Sequence, residues 1–157
     1  MPHVLCLRPV HPEALERLRN HPGVTVEVMA DPTPENLKPV LPYTEAVIVR
    51  ATRIDSAFLA MAPELRIVAR HGVGYDAVDV PALTARGIPL TVTPDANAVS
   101  VAEHAMMLLL AVARRVKDYD AATRALDWGP RDSLPTFDLA GRTLLVVGFG
   151  RIGARTA

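Results

Sequence analysis

Five short apolar runs, alternating with segments of helical pattern, set the tightest limit on what this chain can fold into. The runs are Val4 to Leu7, Val24 to Val28, Ala46 to Val49, Ile67 to Ala69 and Leu90 to Val92. Several are apolar at every position, which suits parallel strands covered by helices on both faces. Between them, Pro12 opens Glu13 to Arg19, and Thr33-Pro34 opens the next segment with proline at the first helical position. Asp55 precedes Ser56 to Met61, and Asp79 precedes Val80 to Arg86, which Gly87 can close as a left-handed cap. Repeated β-α-β-α of this kind predicts an α/β fold. Its expected form is a flavodoxin-like, doubly wound parallel sheet of about five strands, with strands 1, 3 and 4 side by side.

Charge narrows the range of partners. The 157 residues carry 17 basic and 17 acidic side chains, and no block of like charge favours nucleic acid or an anionic membrane. The single cysteine, Cys6, lies inside the first apolar run and is expected to be a buried structural thiol. One cysteine excludes an intrachain disulfide and fits a reducing cytoplasm. Pro2 and His3 lead straight into a strand-like segment, without a signal-peptide pattern. The longest apolar stretch, Ala105 to Ala113, is too short to span a bilayer. A soluble, cytoplasmic protein is expected.

The character of the chain changes at Ser100, which divides it into an expected lobe of residues 1–99 and a segment of residues 100–157. Ser100-Val101-Ala102-Glu103 fits a capping box, and the helix it would open could run to about Ala125. From Ala105 to Ala113 that helix is apolar all round, so it must be covered on more than one side, either as a core helix between two lobes or as one that also forms a subunit interface. Asp127 to Pro135 reads as a loop, followed by a strand over Thr143 to Val147. Directly after it stand Gly148-Phe149-Gly150-Arg151-Ile152-Gly153. Strand, G-x-G-x-x-G and helix together open a dinucleotide-binding unit. A complete Rossmann domain needs about six strands and on the order of 150 residues. The stretch from Leu144 to Ala157 supplies only the start of one, so the sequence reads as the front part of a longer enzyme.

In an open parallel sheet, ligands bind beyond the carboxyl ends of the strands, near the switch in strand order. Three expected strands end there with arginine: Arg8, Arg50 and Arg70. Guanidinium forks match carboxylate and phosphate, so a small anionic substrate is expected at this rim. After Arg70, the loop His71-Gly72-Val73-Gly74 can aim backbone N–H groups at an anion. Asn97 could offer an amide to the substrate. His3, His11 and His21 are expected at the surface, and His71 and His104 are expected to be structural rather than catalytic. No cluster has metal-ligand spacing, and no Ser/His/Asp arrangement can be placed.

Three segments carry a more specific signal: Ala69 to Asp76, then Asn97 to His104, then Leu139-Ala140-Gly141-Arg142 running into Gly148 to Ala157. In this order and spacing the chain resembles the NAD-dependent D-isomer-specific 2-hydroxyacid dehydrogenases, among them those of the D-3-phosphoglycerate type. The resemblance implies a two-lobed enzyme with its active site in the cleft, acting on a small 2-hydroxy or 2-oxo acid with NAD, with NADP left open. It implies that Arg50, the Val73-Gly74 backbone and Asn97 face the substrate, and the rim position of Arg70 adds that residue to the expected substrate-binding set. Val73 and Val101 would lie near the nicotinamide. Gly148, Gly150 and Gly153 would form the dinucleotide turn, with the Arg151 and Ile152 backbone at the pyrophosphate. It implies a homodimer through the helix after Ser100. The family's catalytic arginine, acid and histidine have no counterpart in these residues, so residues 1–157 alone are expected to be inactive. A non-enzymatic module that senses NAD(H), resembling transcriptional corepressors of similar fold, is the alternative.

Overall fold

Strands form where the apolar runs stand: β1 (His3–Leu7), β2 (Thr25–Met29), β3 (Ala46–Val49), β4 (Ile67–Arg70) and β5 (Leu90–Thr91). In this computed structural model, which describes residues 1–157, they pair in parallel in the order β2-β1-β3-β4-β5. Strands 1, 3 and 4 are neighbours, as the doubly wound reading requires. The crossovers carry α1 (Pro12–Arg19), α2 (Pro34–Leu37), α3 (Ser56–Met61) and α4 (Val80–Ala85).

The helix starts follow from their caps. Thr33 Oγ1 accepts the Asn36 N–H at 3.3 Å, Asp55 Oδ1 accepts the Phe58 N–H at 3.0 Å, and Asp79 Oδ1 accepts the Ala82 N–H at 3.0 Å. Each such cap satisfies an orphan donor and contributes about 1 kcal/mol. The carboxyl end of α3 is held differently. Arg86 reaches back from beyond α4 and donates to the carbonyls of Leu59, Ala62 and Pro63. A turn of 3₁₀ helix at Leu41–Tyr43, which no start signal announced, leads into β3. Thr44 behind it is fully buried; its hydroxyl donates to the Val40 carbonyl at 2.9 Å and lies 3.2 Å from His3 Nδ1. His3 is therefore not the surface residue expected, because β1 and this turn enclose it.

Alternation along the strands sorts their side chains onto two faces. Leu5, Leu7, Val47, Val49 and Val68 share one face and form a core with Leu37, Leu41, Ile54, Phe58 and Leu83. Val4, Cys6, Ile48, Ala69 and Thr91 share the other, where α1 packs through Ala14 and Leu18.

The chain divides into two compact units, Met1–Pro94 and Asp95–Ala157. The division falls before the loop that leads into the first helix of the second unit, where the Ala98 N–H already bonds the Asp95 carbonyl. The expected boundary stood after Val99.

In the second unit four expectations give way. Helix α5 (Ala98–Ala113) starts ahead of Ser100, with the Val101 N–H bonded to the Asn97 carbonyl, so Ser100 and Glu103 lie inside the helix and form no capping box. It does not run on to Ala125. Arg115 adopts φ +49°, which interrupts the helical ladder, and α6 (Val116–Arg124) begins beyond it. A short helix, α7 (Pro130–Ser133), interrupts the expected loop. Thr143 to Val147 forms no strand, because no second strand in this unit offers it a ladder. Leu145 is 81% exposed and Val147 90%. A last helical turn, α8 (Gly153–Thr156), follows the glycines. No helix is long and apolar enough to cross a membrane.

Candidate functional site

In the first unit the carboxyl ends of β1, β3 and β4 form a continuous rim. Leu7 pairs with Val49, and Val49 with Arg70, so Arg8 and Arg50 stand one step beyond that level on adjacent strand ends. Arg70 is itself a strand residue, and alternation directs it to the Leu7 and Val49 face. Its guanidinium folds back to donate to the His71 carbonyl and covers Gly72. The expected row of three free guanidinium groups is thus reduced. Arg8 and Arg50 are both exposed and in none of the protein's ion pairs, whereas Arg70 is engaged with its own loop. Arg8 has φ +80°, and its N–H donates to the Met29 carbonyl of β2 at 2.8 Å. For a side chain with a Cβ, that left-handed conformation costs about 1–2 kcal/mol.

The loop after β4 is tied at both ends. The His71 N–H donates to the Val49 carbonyl at 2.8 Å, and the Gly72 carbonyl accepts from the Thr93 N–H at 3.1 Å. Gly72 takes φ +146°, which lets the chain turn back on itself. Between these ties the N–H groups of Val73 and Gly74 donate to no protein acceptor. Val73 is half-buried and Gly74 exposed. The two free donors and the nearby arginines make the rim suited to a carboxylate.

In the second unit Asn97 occupies the N-cap position of α5, yet its side chain makes no capping bond. Its amide is therefore left to other partners. Val101 lies exposed in the first turns of the same helix. The glycine turn meets the three separate demands of a dinucleotide fingerprint. Gly148 has φ +93°, which makes the tight turn. A Cβ on Gly150 would meet nothing within 4 Å, so the backbone there is open to close approach. A Cβ on Gly153 would collide with the Gly148 carbonyl, so only glycine lets α8 sit so close. The N–H groups of Arg151 and Ile152 donate to no protein acceptor, and the Arg151 side chain pairs with Asp95 at 3.3 Å.

Other groups contribute little chemistry. His11, His21, His71 and His104 are exposed, while His3 lies 3.3 Å from Glu27 and packs edge-on against Tyr43. Cys6 is fully buried; burial pushes its thiol above the ordinary value of 9.0, and Arg19 on α1 offsets part of that rise. Sequence reasoning missed the left-handed backbone at Arg8, which no neighbouring glycine or asparagine marks. It also missed the Asp95–Arg151 pair, whose partners are too far apart in the chain to form a local pattern.

The chain also resembles known proteins in sequence and in fold. The family model described as D-isomer specific 2-hydroxyacid dehydrogenase, catalytic domain, matches residues 4–149. The D-3-phosphoglycerate dehydrogenase of Mycobacterium leprae is 45% identical over 135 residues, covering 85% of this chain and 25% of that protein. The glyoxylate reductase of Thermococcus kodakarensis is 40% identical over 165 residues, covering 99% of this chain and 49% of that protein. The chain thus spans half or less of the length of these curated relatives. Among solved structures, D-lactate dehydrogenase from Aquifex aeolicus, complexed with NAD and lactic acid, superposes with a TM-score of 0.84 at 25% identity. That match covers 98% of this chain and 46% of the other. An NADPH-dependent glyoxylate/hydroxypyruvate reductase from Sinorhizobium meliloti gives a TM-score of 0.81 at 30% identity, over 99% of this chain and 48% of that one. Five parallel strands in flavodoxin-like order, an arginine-bearing carboxyl rim and a three-glycine turn therefore occur in a chain that belongs to the D-isomer specific 2-hydroxyacid dehydrogenase family.

Proposed function

We propose that this chain provides the substrate-binding lobe and the first phosphate-gripping turn of a cytoplasmic oxidoreductase. The reaction is the interconversion of a D-2-hydroxy acid and its 2-oxo acid, with NAD(H) as the hydride carrier. The reading rests on one observation above all: a family match across residues 4–149 coincides with a turn in which Gly148, Gly150 and Gly153 each meet a different backbone demand. NAD supplies or accepts the hydride when bound. The residues of this chain do the holding. Arg50 and Arg70 supply positive charge for the substrate carboxylate, the Val73 and Gly74 N–H groups donate to it, and the uncommitted Asn97 amide orients it. Val73 and Val101 offer an apolar surface to the nicotinamide. The free N–H groups of Arg151 and Ile152 meet the pyrophosphate.

The second unit also supports association. An apolar groove of about 790 Å³ is lined by Leu108, Val112, Val116, Pro135 and Phe137. We assign this surface to a homodimer formed through α5.

The full-length protein, assayed with a panel of 2-oxo acids and with NADH and NADPH in parallel, tests the reading. Turnover is expected with NADH, and Arg50→Ala should raise the KM for the 2-oxo acid at least about tenfold. An unchanged KM would remove Arg50 from the site. Tight NADH binding with no turnover on any acid would favour the NAD(H)-sensing module instead. Residues 1–157 alone should show no turnover, since the proposed roles in this segment are binding and orientation.

A further inference from the structure

We propose that Asp95 masks Arg151, and that this masking holds down the affinity of the glycine turn for the phosphates of a dinucleotide. The inference rests on the NAD(H) reading above and deepens it. The turn grips through backbone N–H groups, while its positive side chains are kept occupied.

Residues 148–157 carry two cationic side chains, Arg151 and Arg155, and no acidic one. Both have partners within the protein. Arg151 Nε lies 3.3 Å from Asp95 Oδ1, and Arg155 Nη1 donates to the Arg151 carbonyl at 2.6 Å. Beside them the Arg151 and Ile152 N–H groups donate to no protein acceptor. Arg151 contributes one of these free donors, so its side chain springs from the edge of the proposed phosphate site. A guanidinium fork matches phosphate oxygens and often binds them bidentately. Unpaired, Arg151 would add a full positive charge at that edge; paired with Asp95, it adds little.

No other role accounts for the Asp95 carboxylate. Asp95 opens the second unit, two residues ahead of the Asn97 N-cap of α5. Its backbone carbonyl accepts the Ala98 N–H at 3.2 Å, which fixes the residue in place. Helix α5 has no side-chain cap, so the carboxylate does not serve its first turn by hydrogen bonding. Nor does the pair hold the fold together. The Arg151 and Asp95 side chains are 59% and 61% exposed, and ion pairs this open to water contribute little to stability. A carboxylate beside an anion site repels the ligand and engages the cation that would attract it. The result is a weaker grip on phosphate than the same turn would have with Arg151 free. A hydride carrier must leave after each turnover, and release sets the rate of many enzymes.

The test compares full-length wild type with Asp95→Asn, Asp95→Glu, Arg151→Gln and the double variant D95N/R151Q. NADH binding is followed by fluorescence, and ADP-ribose and adenosine, with and without the pyrophosphate, by displacement of NADH. D95N should bind NADH and ADP-ribose about threefold to tenfold more tightly at low salt, and by a smaller factor at high salt. Its affinity for adenosine should match wild type, and D95E should behave as wild type throughout. R151Q should weaken NADH binding more in the D95N background than alone, because only there is the guanidinium free. Unchanged or weaker NADH binding by D95N, an equal gain for adenosine, or additive effects of the two substitutions would overturn the mask while the dehydrogenase reading stands. A wild-type protein that binds neither NADH nor ADP-ribose would remove the NAD(H) reading, and the mask with it.

Discussion

The two faces of the sheet share the same strands but are covered unequally. On one, Leu5, Leu7, Val47, Val49 and Val68 are all buried, beneath residues of α2, α3, α4 and the Leu41–Tyr43 turn. On the other, Ile48 and Ala69 are only half-buried, and α1 contributes no fully buried residue of its own. A groove of about 230 Å³ remains there between Ala14 and Leu18 of α1 and Ile48, Ala69 and Thr91 of the strands. Three of the four crossovers run over the first face, which accounts for the difference. Apolar alternation tells a strand which side chains need cover, and chain topology decides how much cover each face receives.

The sharpest way to break this comparison is to cut the sealed face. Leu5→Ala removes a fully buried side chain from a packed core and should cost about 2–5 kcal/mol, measured by denaturant unfolding. A loss under about 1 kcal/mol would show that the face is loosely packed. Next in size is Arg86→Ala, which strips three carbonyls at the carboxyl end of α3 of their charged donor. Charged hydrogen bonds of this kind, discounted for partial exposure, suggest a loss of about 1–2 kcal/mol. Arg86→Lys should recover only part of it, because a single ammonium cannot reproduce the fork. Ile48→Ala, on the thinly covered face, should cost about 1 kcal/mol, well below Leu5→Ala, since its side chain leaves a half-exposed site rather than a closed cavity. Equal losses at Leu5 and Ile48 would erase the distinction between the faces.

Much of the first unit was readable because its signals are local. Thr33, Asp55 and Asp79 mark helix starts by accepting the N–H three residues on, Pro12 and Pro34 by standing in the first helical turn, and the apolar runs mark the strands. The misreadings in the second unit share a cause. Ser100 and Glu103 have capping-box spacing, but the same spacing occurs within any helix, and nothing local distinguishes the two cases. The break at Arg115 depends on a left-handed backbone at a residue type that does not advertise it. Thr143 to Val147 has the composition of a strand, but a strand exists only with a ladder partner. The candidate site divides the same way. Its glycine turn and arginine rim follow from spacing, whereas the commitment of Arg70 to His71, the strain at Arg8 and the Asp95–Arg151 pair arise from contacts and dihedrals that spacing does not encode.

The smallest expected effect probes the thin face from within. Cys6 lies on that face but is fully enclosed, and burial holds its thiol above the ordinary 9.0 while Arg19 of α1 pulls the other way. In the unfolded chain the thiol ionises near 9.0; in the folded chain it stays protonated to higher pH. The unfolded state therefore loses its proton first, and the thiol's contribution to stability declines as pH rises through that value. Between about pH 8 and 9.5 the loss should reach at most about 0.8 kcal/mol, and Cys6→Ala should lack it when the two proteins are unfolded in denaturant at both pH values. A thiol-specific reagent should label Cys6 only as fast as the protein opens. Rapid labelling of folded protein, with no pH-dependent difference between wild type and Cys6→Ala, would mean that α1 lifts readily from the sheet. The thin face would then be an open one, and the burial of Cys6 would reflect one conformation among several.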